Sequence, residues 1–247
     1  MIIIKSNAQV QLMRKAGQTV MRTFELLERY IKPGVTTLEL DKIAYDFIKS
    51  KGGYPSFLGY QGYPASINTS VNEEIVHGVP SLRKLKSGDI VGIDIGVYLN
   101  GVHGDAARTY GIGEISAENQ HLIDVTRQCF FEAIKYARPK NHLNQICSAI
   151  ESYANSHGYT VSKEFIGHGI GANLHEPPDI PNNSMEKRGP RIRQGMTFAI
   201  EPMVNAGASD AFVEVDGWTG ITKDKKNSAH YENTILITDG EPEILTV

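Results

Sequence analysis

The sequence is poor in cysteine. Cys129 and Cys147 are the only two among 247 residues, and both fall in helix-like stretches. Two such thiols build neither a disulfide framework nor a four-thiolate zinc site, and they are expected to be free and buried in a reducing compartment. Long apolar runs are missing as well. The opening MIIIKSNAQVQ carries three consecutive isoleucines, far short of a signal-peptide core or of the ~20 residues that span a bilayer. A cytoplasmic protein with no membrane partner is expected. A marked excess of either sign of charge is also missing, with 25 Lys and Arg against 28 Asp and Glu. The formal net charge of −3 gives no broad attraction to phosphate backbones or anionic lipid, which argues against a specific nucleic-acid partner. No linker or low-complexity tract divides the chain, and 40% apolar with 21% charged residues is ordinary for a globular protein with a substantial core.

What the chain does have is one order of elements written twice, without letter-by-letter repetition. After the caps Ser6 and Asn7, apolar residues at Leu12, Met13, Ala16, Val20, Phe24, Leu27 and Ile31 keep helical spacing until Pro33-Gly34. A second helix opens on the capping box of Thr36 and Glu39 and stops at Gly52-Gly53. Short β-rich runs follow from about residue 65 to 112. Ser116 then caps a helix that ends before Pro139, and another runs from Leu143 to near Gly158. Strand-like runs return at 159–168, 196–201 and 229–238. The expected architecture is therefore α+β: one domain over 1–247, whose halves, about 1–112 and 113–247, share a sheet.

Within VGIDIGVYLNGVHGDAART, Asp94 interrupts an apolar strand-like run, and Asn100-Gly101 marks a two-residue type I′ hairpin turn. An unbulged hairpin sets Asp94 opposite Ala107, so that Asp105 lies on the same face, diagonal to Asp94. Two carboxylates aimed at one buried spot repel each other, which raises a pKa or recruits a cation. That stretch by itself equally allows one aspartate to end a strand and the other to lie in a loop. The second half supplies two more interruptions of the same kind, Glu201 in MTFAIEPM and Glu232 in AHYENTILI, together with the glycine-flanked His168 of EFIGHGIGANLHEPP. Several carboxylates with one imidazole suit Mn, Fe, Co or Zn held largely by oxygen.

Rival motifs are weaker. GHGIGA matches a dinucleotide fingerprint, yet no helical periodicity follows before Pro177-Pro178. His175-Glu176 lacks the second histidine of H-E-x-x-H. His103, His121, His142, His157 and His230 read as surface, cap or core residues.

Taken in order and spacing, GIDIGVYLNGVHGDAARTY, GHGIGANLHEPP, MTFAIEPM and HYENTILI, with IVHGVP around His77 and DGWT around Trp218, resemble the bacterial type I methionine aminopeptidases. The resemblance runs nearly end to end. It implies the pita-bread fold, a curved central antiparallel sheet with paired helices on its outer face and a pseudo-twofold between halves. It also implies two divalent ions (Co, Mn, Fe or Zn), with Asp94 on one, His168 and Glu201 on the other, and Asp105 and Glu232 bridging both. Glu201 is then the proton acceptor, and His77 and His175 contact substrate. A methionine pocket is implied at Phe57, Tyr60, Tyr63, Asn68, Leu174 and Trp218. Phe57 and Asn68 stand where small cysteines are common in the family, and Leu174 where an aromatic is common. The implied substrates are N-termini of nascent polypeptides with a small second residue, met by a monomer with at most transient ribosome contact. Two alternatives share the fold: Xaa-Pro-type peptidases, which typically carry a large N-terminal domain, and non-catalytic binding relatives that have lost ligands.

Overall fold

A computed structural model describes residues 1–247. Four helices carry the outer layer: α1 (Asn7–Leu27), α2 (Thr37–Ser50), α3 (Ala117–Ile134) and α4 (Leu143–Ser156). Their starts follow the local chemistry. Ser6 and Gln9 exchange side-chain and backbone hydrogen bonds at the head of α1, as do Thr36 and Glu39 at α2, so orphan amide donors are satisfied. Ser116 caps α3, and His142 with Gln145 caps α4. Helix α1 stops earlier than the spacing predicts. The amides of Arg29 and Tyr30 turn back to Leu26 and Leu27, tightening the last turn before Pro33.

Each helix pair covers strands from its own half. Val20, Phe24 and Leu27 of α1 and Leu40, Ala44 and Ile48 of α2 bury against Val91, Ile93, Ile95 and Val97. Leu122, Val125, Cys129 and Phe130 of α3 and Ile146, Cys147 and Ile150 of α4 bury against Phe198, Ile200, Val204 and Ile235. Both cysteines are free, and burial pushes each thiol up to about 12, so neither is a nucleophile at neutral pH.

The strand pairs are antiparallel throughout. The hairpin Ile90–Leu99 and Val102–Gly111 turns at Asn100 (φ 52) and Gly101 (φ 86), the left-handed pair that a type I′ turn requires. The predicted register holds: Asp94 pairs with Ala107 and Gly96 with Asp105. In the second half a five-stranded sheet runs in the order Glu243–Ile244, Asn233–Leu236, Thr197–Ile200, Gly167–Gly169, Glu176–Ile180. The last of these, EPPDI, gave no strand signal because prolines cannot donate to a ladder. It is an edge strand, where that loss is tolerated.

The two sheets meet edge to edge. Ala107 and Glu232 exchange backbone hydrogen bonds at 3.3 and 3.0 Å. Two residues further along each strand, the Thr234 hydroxyl accepts from the Asp105 amide at 3.0 Å and donates to the Asp105 carbonyl at 2.9 Å. No helix is long and apolar enough to cross a membrane.

Candidate functional site

The seam between the sheets opens into a cavity of about 470 Å³. All thirteen residues singled out from sequence line it: His77, Asp94, Asp105, His168, His175, Glu201, Glu232, Phe57, Tyr60, Tyr63, Asn68, Leu174 and Trp218. Backbone placement explains the convergence. Asp94 and Asp105 project from one face of the first hairpin. Glu201 directly follows the strand Thr197–Ile200, and Glu232 directly precedes its partner Asn233–Leu236, so both carboxylates sit at the seam. Each lies one residue outside its strand rather than within it. His168 occupies the middle of Gly167–Gly169. Its glycine neighbours are required by close approach: a Cβ at Gly167 would meet the Ala199 carbonyl oxygen at 2.6 Å, and one at Gly169 the Pro177 oxygen at 2.3 Å.

Electrostatically the cluster is incomplete. Burial pushes the Asp94 carboxyl up to about 7 against the pull of Asn68, whose amide donates to Asp94 Oδ2 at 2.8 Å. Asp105 is raised by burial and then by repulsion from Asp94 and Glu201. Burial also raises Glu201 and Glu232, with neighbouring carboxylates adding to each shift. Asp94 Oδ1, Asp105 Oδ1 and Glu232 Oε1 are buried acceptors with no hydrogen-bond partner. His168 Nδ1 donates to the Gly169 carbonyl at 2.8 Å, which leaves Nε2 unprotonated with its lone pair free to ligate, 3.5 Å from Glu201 Oε1. Donor atoms of Asp105, His168 and Glu232 lie within 4.8 Å of one another. Orphaned carboxylate oxygens converging with an unprotonated imidazole nitrogen fit a divalent cation and fit little else.

Beside this polar floor stand two further imidazoles. Burial holds His77 down to about 4 and lowers His175, so both are neutral at pH 7. His77 adopts φ +58, uncommon for a residue with a side chain, and its ring packs edge-on against Phe165. His175 Nδ1 hydrogen-bonds the Tyr60 hydroxyl at 3.0 Å. The Tyr63 ring meets Trp218 edge-on at 5.2 Å, and Phe57, Tyr63 and Leu174 share one buried cluster that forms the apolar wall. Phe57 is pressed onto the backbone at Gly96, opposite Asp105.

The match to known proteins follows the same lines. The sequence pattern described as metallopeptidase family M24 fits residues 11–239. The chain belongs to metallopeptidase family M24. It is 49% identical to a methionine aminopeptidase of Clostridium perfringens, over 100% of this chain and 99% of that protein. It is 48% identical to methionine aminopeptidase 1 of Bacillus subtilis, over 100% and 99%. Among solved structures, a methionine aminopeptidase of Rickettsia prowazekii superposes with a TM-score of 0.98 at 40% identity, covering 100% of both chains. A prolidase of Pyrococcus furiosus reaches 0.79 at 22% identity over 99% of this chain and 65% of that one, a likeness of fold alone.

Two features of this M24 peptidase escaped the sequence. Asn68 lines the cavity as expected but also holds Asp94, tying the wall to the carboxylates. His230 is a core residue, among the classes expected for it, but its Nε2 faces Glu201 and Glu232 at 3.6 and 4.0 Å. The signal was the spacing in HYE, since residues two apart in an extended chain return to one face.

Proposed function

We propose that this metal-dependent hydrolase removes the N-terminal methionine from polypeptides whose second residue is small, at a centre of two divalent ions. The observation that carries the reading is the convergence of Asp94, Asp105, Glu201 and Glu232 with His168 in one cavity beside an apolar slot, all but the partly exposed Glu201 buried. Asp94 would hold one ion, His168 and Glu201 the other, with Asp105 and Glu232 between them. When bound, such a pair supplies Lewis acidity and makes a hydroxide nucleophile available near neutral pH.

The chain's own groups supply the rest. Glu201, as the carboxylate, takes the proton of the attacking water and returns it to the departing amine. His77 and His175 act as neutral N–H donors where negative charge develops on the scissile carbonyl oxygen, with Tyr60 steadying His175. Phe57, Tyr63, Leu174 and Trp218 enclose the methionine side chain, whose flexible thioether makes favourable contacts with aromatic rings. Residues 1–247 form one catalytic unit, read as a cytoplasmic monomer that meets nascent chains and touches the ribosome at most transiently.

Chelator-treated protein should stop releasing methionine from a Met-Ala-Ser peptide and recover with Mn, Co or Fe. Full release by rigorously metal-free protein, or turnover of Xaa-Pro dipeptides in place of Met-Ala-Ser, would overturn the reading.

A further inference from the structure

One buried imidazole at the centre has no role in the reaction above. His230 ends the strand Ser228–His230, opposite Met203. Its backbone is held on both sides by Thr109, whose hydroxyl accepts the His230 amide at 2.9 Å and donates to the His230 carbonyl at 2.9 Å. The side chain is 3% exposed, and Nε2 has no hydrogen-bond partner. It points between two carboxylates, 3.6 Å from Glu201 Oε2 and 4.0 Å from Glu232 Oε2.

Those lengths discriminate between roles. An imidazole donating to a carboxylate closes to about 2.7–2.9 Å, and 3.6 Å is no hydrogen bond. Donors that share a cation at about 2.0–2.2 Å are instead held apart, at about 3 Å when they subtend a right angle and about 3.4 Å at the tetrahedral angle. The 3.5 Å between His168 Nε2 and Glu201 Oε1 has the same character. Glu201 is therefore flanked by an imidazole at each oxygen, His168 at Oε1 and His230 at Oε2. Donor atoms of Glu201, His230 and Glu232 all lie within 4.8 Å of one another, a grouping distinct from Asp105, His168 and Glu232.

We infer that His230 is a further metal donor, its Nε2 binding the ion held by Glu201 and Glu232. The inference rests on the metal-centre reading above and adds a sixth residue to it. A second nitrogen in an oxygen-rich set favours Fe, Co or Zn over Mn.

The test uses metal-free full-length protein titrated with Co(II). The proton NMR spectrum of the Co(II)-loaded wild type should contain two solvent-exchangeable imidazole N–H signals shifted far outside the normal range, one each from His168 and His230. His230→Gln should lose one of them. Calorimetric titration should show Co(II) bound more than about 100-fold more weakly by that variant, beyond the 10–100-fold cost of losing a residue that merely orients a ligand. A single shifted N–H in tightly Co(II)-bound wild type overturns the inference while leaving the metal centre standing, as does an affinity loss of 100-fold or less in folded His230→Gln. Wild type that binds no Co(II) overturns the metal centre itself. The wild-type spectrum decides the question even if the variant fails to fold.

Discussion

The loop bearing His175 is anchored by a charge pair that can be broken one side at a time. Lys5 Nζ lies 2.7 Å from Glu176 Oε2, with side chains 3% and 2% exposed. The other Glu176 oxygen, Oε1, accepts the Asn173 amide at 3.1 Å, and the Lys5 amide donates to the Gly195 carbonyl at 2.7 Å. An intact buried pair contributes little net stability, because desolvation offsets attraction. Removing one partner is different, since it strands the other charge where water cannot reach it, at a cost of about 3–5 kcal/mol. Glu176→Gln keeps the carbonyl that accepts Asn173, so its loss should be almost purely electrostatic. For a chain of this length, 2–4 °C per kcal/mol makes that about 6–20 °C in melting temperature. Lys5→Met should cost a similar amount. The double variant, with no stranded charge, should recover most of the loss, so the interaction energy should exceed the cost of one single variant, about 3 kcal/mol or more. Urea unfolding at one fixed metal concentration is the appropriate assay, because bound metal raises the apparent midpoint. Single variants that lose less than about 1 kcal/mol, or a double variant as unstable as the two singles added together, would refute the reasoning.

Two further outcomes are expected at the site. His175→Ala, which removes an N–H donor but no proposed metal ligand, should lower turnover about 10²–10³-fold with metal stoichiometry unchanged, and metal loss from the variant would make His175 a ligand instead. Phe57→Cys should widen the slot, so that longer norleucine-like first residues gain on methionine, whereas identical selectivity in both proteins would remove Phe57 from the pocket wall.

Most of this site could be read from the sequence because its residues break local rules. A carboxylate inside an apolar strand, as at Asp94, is costly enough to demand a partner, and Asn100-Gly101 fixes the register that brings Asp105 beside it. The helices were legible through their capping pairs for the same reason: the signal and the structure are a few residues apart. What lay hidden depended on distant chain. Nothing near Asp105 announces that its backbone will be clasped by Thr234, 129 residues away. His230 looked like core because burial and ligation share one local pattern, and only Glu201, arriving from another strand, separates them. The strand of Glu176–Ile180 was masked by its prolines, whose tolerance depends on having no neighbour on one side.

The clasp at Ala107, Glu232 and Thr234 also sets the order in which the protein can mature during its own synthesis. Until the ribosome has made the strand Asn233–Leu236, the first hairpin has nothing along that edge, and Asp94 and Asp105 remain accessible to water, where an ionised carboxylate is at ease. The electrostatic cost of gathering the carboxylates therefore falls after that strand is made rather than before it. A growing chain of this peptidase stays inert until residues 233–236 have been made, and only then can its carboxylates gather into a site.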